Sequence, residues 1–324
     1  MDIRQQIENP VAEEFRRFND DFYQSLKSST NRLEQAIEVV MRSSGKHVRP
    51  LLVLLTAKAC GSISDQTINS AVLLELLHTA TLIHDDVVDD TKMRRGLPSL
   101  NAIFDNRIAV LVGDYILSTA LVRSIQTGDM RIIQIISQLG RDLSEGEIKQ
   151  LETAEMQAID ESLYFDVIKK KTATLLSACT QIGALSSGAF DGRIEVCKEF
   201  GEYLGYCFQL KDDIFDYYSD KQIGKPTGND LREGKITLPL IYALQHAPEE
   251  EAAPCRAIIE SNDFSDDNIA TLIQFAIKHN GIVYAEQRMA EFRAKAELLI
   301  HQLPKSDART ALLTLADYII HRKN

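Results

Sequence analysis

Two short stretches, LIHDDVVDD at 82–90 and QLKDDIFDY at 209–217, each set Asp-Asp-x-x-Asp inside apolar sequence of helical period. Residues four apart on an α-helix share a face, so Asp85 projects with Asp89, and Asp212 with Asp216. Asp86 and Asp213 lie about 100° further round. The neighbours Leu82, Ile83, Val87 and Val88, then Leu210, Ile214 and Phe215, are hydrophobic. Like charges at this spacing weaken a helix, and an unpaired carboxylate is costly to bury. A chain that carries the pattern twice needs long helices and a cationic partner for its carboxylates. Two solvated acidic faces are the plainer alternative, against which the apolar flanks of both copies weigh. Hard divalent cations, which share oxygen ligands with phosphates, are the natural compensation.

The rest of the chain is compatible with helices. Apolar residues recur at three- and four-residue spacing over 10–27, 30–43, 50–60, 68–90, 107–126, 130–140, 144–158, 161–190 and 193–218. The same pattern returns over 266–280, 282–303 and 307–322. Only 16 Gly and 8 Pro occur in 324 residues, too few for the tight turns of a β-sandwich or barrel. The predicted fold is all-α, a single helical bundle over 1–324. The best candidate break is HAPEEEAAPC at 246–255, which is acidic and holds two prolines.

Composition narrows the function classes. A formal net charge of −11 without a basic stripe argues against a nucleic-acid binder. The start, MDIRQQIENPVAEEF, lacks an apolar core, and LLVLLTA (51–57) and AVLLELL (71–77) fall well short of the roughly 20 residues of a membrane span. No transmembrane segment is expected, and a cytoplasmic location follows. Five cysteines, an odd number without a CxxC pair, read as reduced and buried thiols.

Cationic residues stand out against the negative charge. Lys46 and Arg49 lie in GKHVRP (45–50), Arg94 and Arg95 follow the first Asp cluster, and Lys169, Lys170 and Lys171 are consecutive. Lys225 and Lys235 flank the loop after the second cluster. Each taken alone is an ordinary solvated charge. Together with the Asp pairs they describe a site for a Mg²⁺-complexed polyphosphate ester, since Arg offers bidentate contacts to phosphate. GKPTGND (224–230) lacks the GxxxxGK[ST] spacing and a preceding strand, so it is no P-loop.

With these motifs in order, the chain resembles the trans-type isoprenyl diphosphate synthases, and among them the long-chain, octaprenyl-type members. The likeness covers 45–240 and rests on GKHVRP, ELLHTATLIHDDVVDD, MRRG, GDYILSTA, KTATL, FQLKDDIFD, GKPTGND and EGKITLPL. It implies an all-α bundle around a deep central cavity, a homodimer, and two Asp motifs facing each other across the cavity mouth. About three Mg²⁺ ions would be bound with the diphosphate, Mn²⁺ being an acceptable substitute. By the resemblance, Asp85 and Asp89 bind two metals and Asp212 the third, with Asp86, Asp213 and Asp216 beside them. Arg94, Lys171, Lys225 and Lys235 would grip an allylic diphosphate. Lys46, Arg49, His78 and Arg95 would hold isopentenyl diphosphate. Thr172 and Gln209 would place oxygen dipoles near the developing carbocation. The basic end, His321-Arg322-Lys323, is similar to a tail that closes over the site in relatives; a frayed charged terminus is the equal alternative.

The resemblance also implies that the residues four and five before the first Asp govern product length. Here they are Thr81 and Ala80. Helix geometry puts Thr81 about 40° from Asp85 but Ala80 about 140° away, so the weight on Ala80 comes from the family alone. Small residues there imply a cavity continuing between 71–90 and 107–126, toward Leu117 or Leu121, and a long-chain product for a quinone side chain. Other readings stay open at this stage. A class I terpene cyclase uses one DDxxD but a different second motif. A ferritin-like di-iron protein needs two ExxH motifs, and only Glu75-Leu-Leu-His78 occurs. A short-chain synthase, or a non-catalytic subunit of a heteromeric synthase, also fits part of the pattern.

Overall fold

A computed structural model describes residues 2–28, 30–42, 45–218 and 228–321. The all-α expectation holds. Among the described residues the only strands are Met93–Arg94 and Leu97–Pro98, paired antiparallel as a minimal hairpin. The chain divides into two compact units. One comprises 1–137, 178–197 and 301–314, the other 138–177, 198–300 and 315–324.

The first unit is built on two helices, Val48–Cys60 and Asp65–Val88. Leu52, Val53, Leu54, Leu55, Leu73, Leu74 and Leu76 have no exposed surface, which explains why both segments are apolar all round. Ser64 and Thr67 exchange side-chain-to-backbone hydrogen bonds in a capping box that starts the second helix. Helix Ala12–Ser25 buries Phe15, Phe18 and Phe22 on one face. A Cβ at Gly183 would lie 2.6 Å from the Val53 carbonyl oxygen, so only glycine lets this backbone come so close. All five cysteines are free and buried, and the Cys60 and Cys197 sulfurs are 3.5 Å apart.

The core of the second unit gathers around helix Leu238–His246, whose Leu238, Leu240, Ile241 and Leu244 pack with Leu272, Ala276 and Ala285 from helices Asp266–Lys278 and Gly281–Ile300. Helix Glu161–Ile168 contributes Tyr164 and Ile168 to the same core.

Several boundaries differ from the sequence expectation. The candidate break at 246–255 is mostly helix: Glu249–Glu260 starts just after Pro248 at its N-cap. Glu249, Glu250 and Glu251 fill the first turn, where negative charge suits the helix dipole. Pro254 sits within the helix and removes one backbone donor without ending it. The expected helices at 130–140 and 144–158 are one, Met130–Glu155, because Gly140 weakens a helix by only about 1 kcal/mol. The expected helix at 161–190 is interrupted at Lys169–Ala173 by a π-turn, in which the Thr174 N–H donates to the Lys169 carbonyl.

Candidate active site

In the first unit, the end of helix Asp65–Val88 creates the site. The helix stops at Asp89, Asp90 takes a positive φ of 48°, and the hairpin turns at Arg95-Gly96 with φ of 52° and 77°. Two positive values match a type I′ turn, the tight connection suited to so short a hairpin. The reversal carries Arg94 back to Asp86. Its Nε donates to Oδ1 and Oδ2, each at 2.9 Å, and its Nη2 donates to Oδ1 at 2.7 Å. Asp86 is 4% exposed, so this guanidinium is what makes its burial tolerable. The other arginine packs on Gly45, where a Cβ would lie 2.6 Å from an Arg95 guanidinium nitrogen. A larger residue than this glycine of GKHVRP would push the end of the Arg95 side chain aside.

A cavity in this unit is lined by Glu75, His78, Asp86, Arg94 and Arg95 among others. Burial drives the His78 pKa well below its usual value, and the charges of Arg49, Arg95 and Arg94 push it the same way. His78 is thus a neutral imidazole amid three guanidinium fields, a setting that favours an anion. Arg95 is itself lowered by burial and by Arg94. Lys46 is exposed and Arg49 half-buried. Asp85 is half-buried and Asp89 exposed, joined through the Asp89 N–H donating to the Asp85 carbonyl at 2.8 Å. Sequence reasoning missed His47 and Glu75. His47 takes a left-handed φ of 50°, lies against Phe18 and Phe22, and puts Nε2 3.9 Å from the buried Glu75 carboxylate. A histidine beside GK and a glutamate inside an apolar run were the available signals.

In the second unit the π-turn and helix Asp191–Asp216 meet at backbone distance. A Cβ at Gly205 would lie 2.4 Å from Ala173 Cα. One turn beyond Gly205, Gln209 comes beside Thr172, whose Oγ1 donates to Gln209 Oε1 at 2.7 Å. Gln209 Nε2 donates to Asp213 Oδ1 at 2.7 Å, and the Tyr164 hydroxyl donates to Asp213 Oδ2 at 2.5 Å. Lysines 169, 170 and 171 point to three different carboxylates: Glu202, Glu145 and Glu147 at 2.9, 2.9 and 2.7 Å. Lys235 pairs with Glu233. Lys171, Thr172, Gln209, Asp213, Asp230 and Lys235 all line one cavity.

The acids here are strained electrostatically. Burial, reinforced by Asp212 and Asp216, raises the Asp213 carboxyl to about 7 despite its two donors. Asp216 is raised by burial although it accepts the N–H groups of Asn229 and Asp230 at 2.9 and 3.0 Å. Asp230, which sequence reasoning missed, is pushed well above the carboxylate range by burial and then by Asp213 and Asp216. Asp212 is half-buried. Lys225 lies outside the described residues, as do Arg322 and Lys323; His321 is exposed. Ala80 is buried, and Thr81 Oγ1 donates to the His78 carbonyl. Leu121 is 47% exposed and Leu117 half-buried.

Among the described residues no three acidic, imidazole or thiol groups come close enough to cage a metal. A site with few protein oxygens suits a hydrated divalent ion that completes its shell with water and phosphate oxygens, as Mg²⁺ prefers. The carboxyls of Asp213, Asp216 and Asp230 are each raised, first by burial, so a cation bound nearby would ease their ionisation.

Residues 30–276 match the family described as polyprenyl synthetase. An octaprenyl diphosphate synthase of Haemophilus influenzae is 34% identical over 98% of this chain and 96% of its own. The crystal structure of a polyprenyl synthase from Caulobacter crescentus, complexed with calcium and isoprenyl diphosphate, superposes with a TM-score of 0.93 at 29% identity, covering 99% of this chain and 98% of that one. A geranylgeranyl pyrophosphate synthase from Bacteroides thetaiotaomicron is 39% identical, with a TM-score of 0.87 and coverage of 99% and 100%. Family match, full-length relatives and shared fold agree: this chain belongs to the polyprenyl synthetase family and is a prenyltransferase.

Proposed function

We propose that this prenyltransferase extends an allylic diphosphate, farnesyl diphosphate by preference, with isopentenyl diphosphate to a long-chain product of about seven to ten isoprene units, the size of quinone side chains. The supporting observation is that each unit places the middle carboxylate of a DDxxD motif, Asp86 or Asp213, on a cavity that cationic groups also line. The reaction needs both sets on one substrate, so the two units would serve as a single domain over 1–324.

Asp85, Asp89 and Asp212 would hold Mg²⁺, which when bound supplies Lewis-acid neutralisation of the leaving diphosphate. Lys171, Lys225 and Lys235 would bind that diphosphate, the described two exchanging a carboxylate partner for a phosphate oxygen. Arg94, already fixed by Asp86, would present its remaining N–H groups. Lys46, Arg49, His78 and Arg95 would orient isopentenyl diphosphate, His78 remaining neutral. Thr172 and Gln209 oxygens would face the allylic carbon as positive charge develops there. The motifs place no conventional general base, so the departing diphosphate would take the proton released after coupling.

Helix Asn106–Gln126 is long and apolar enough to cross a membrane by length and composition, with 33% of its most apolar window buried. Leu111, Val122 and Ile125 are exposed on it. We assign this face to a homodimer interface, and the five buried free thiols support a cytoplasmic setting.

Incubation of the purified chain with farnesyl diphosphate, isopentenyl diphosphate and Mg²⁺ tests the reading. Products of about seven to ten units are expected; a cyclised hydrocarbon, or no elongation by the chain alone, would overturn it. A short-chain reading is favoured by the 39% identity to a geranylgeranyl pyrophosphate synthase, and the product length in the same assay decides between the two. Under the long-chain reading, Ala80→Phe shortens the product to farnesyl or geranylgeranyl length.

A further inference from the structure

Asp213 is 2% exposed and lies one residue from Asp212 and three from Asp216. Its two oxygens are filled by two neutral donors from different helices, Tyr164 and Gln209. Filling both oxygens fixes the plane of the carboxylate. That plane in turn fixes the orientation of the Gln209 amide, because only its NH₂ can donate to Asp213. The carbonyl end is then left to accept from Thr172. Thr172 is half-buried, follows Lys171 in the chain and lines the same cavity. The Tyr164 ring belongs to the hydrophobic core of the unit, so packing holds its hydroxyl, and the residue lines the same cavity as Thr172 and Asp213.

We propose that Tyr164 is a positioning residue for prenyl transfer: its hydroxyl anchors a relay, Tyr164 to Asp213 to Gln209 to Thr172, that aims the threonine and amide oxygens at the reacting allylic carbon. The proposal rests on the prenyl-transfer reading above. Without the hydroxyl, Asp213 is free to rotate about χ2 and Gln209 to flip its amide, so Thr172 loses its fixed acceptor. The two diphosphates, held by lysines and arginines, bind as before. The loss therefore falls on the chemical step. Outer partners of this kind are worth roughly 10–100-fold in activity.

The test compares wild type, Tyr164→Phe, Gln209→Leu and the double variant in elongation of farnesyl diphosphate with isopentenyl diphosphate and Mg²⁺. Wild-type elongation establishes the reading itself, and its failure there would be separate from failure of the relay. For Tyr164→Phe we expect kcat to fall about 10–100-fold with both KM values within about twofold of wild type. The double variant should be no slower than Gln209→Leu alone, since both changes cut one chain. A kcat equal to wild type, a loss confined to KM, or a double variant slower by the product of the two single losses would each overturn the proposal. Should Tyr164→Phe fail to fold, Thr172→Val and Thr172→Ser probe the other end of the relay. Loss of kcat in the first and recovery in the second supports it; wild-type rates in both overturn it.

Discussion

The middle carboxylates of the two DDxxD motifs are buried almost equally, Asp86 to 4% and Asp213 to 2% exposure, and are satisfied by opposite means. Asp86 is neutralised by the forked guanidinium of Arg94. Among the described residues Asp213 receives the neutral donors of Tyr164 and Gln209, keeps its charge problem, and has its carboxyl raised to about 7 by burial. In the first unit the motif spends one of its acids on fixing a cation. In the second it keeps its acids crowded together. A shared five-letter pattern thus conceals a division of labour that depends on what the surrounding helices and turns deliver.

The largest effect should come from removing the outer acids of the two motifs. Asp85→Asn and Asp212→Asn should each lower kcat on the order of 10²–10³-fold, the scale of losing one electrostatic contact to the transition state. Steady-state elongation assays measure this, and a wild-type rate in either variant would show that its motif holds no metal in catalysis. Stability should sharpen the contrast next. Arg94→Met leaves Asp86 buried and uncompensated and should cost about 3 kcal/mol, the low end for a broken buried pair because Arg94 is 29% exposed. Tyr164→Phe removes one neutral donor to a carboxylate and should cost about 1.5–2 kcal/mol. Urea unfolding of both variants provides the comparison, and equal losses would erase the distinction drawn here.

The smallest effect concerns acid. His78 has its pKa lowered from 6.5, so the unfolded chain binds that proton more readily, and stability falls as pH drops below 6.5. Asp213 works in the other direction. Raised from 3.8 to about 7, it binds a proton more readily in the folded state, so its contribution grows as pH falls from 7 toward 3.8. In chelator, His78→Gln should therefore gain stability relative to wild type by about 1.4 kcal/mol per pH unit below 6.5. Unfolding at pH 7.5 and 5.5 reads the slope; parallel lines for variant and wild type would remove His78 from the account.

Much of this was legible in the sequence because helical period and apolar flanks are local properties. Asp85, Asp89, Asp212 and the helices carrying them follow from residues within one or two turns. The partners of the middle acids were not legible in that way. Arg94 reaches Asp86 only because Asp90, Arg95 and Gly96 adopt positive φ and reverse the chain. Tyr164 reaches Asp213 from a helix 49 residues earlier. Asp230 joins the acids only when Asp216 accepts its backbone N–H. Proline misled in the other direction: Pro254 suggested a break, but a helix started by three glutamates and buried through Ala252, Cys255 and Ile259 absorbs it.

The π-turn at Lys169–Ala173 accommodates one residue more than a regular turn would. Within it three lysines fan out to separate carboxylates, and Thr172 lands beside Gln209. Deleting any one residue there would leave the composition of the segment almost unchanged and restore an ordinary helix. It would also remove the wider turn across which Lys169–Ala173 spread their side chains. This part of the candidate site is thus set by the length of the turn as much as by its side chains, and a one-residue deletion should harm it more than most substitutions.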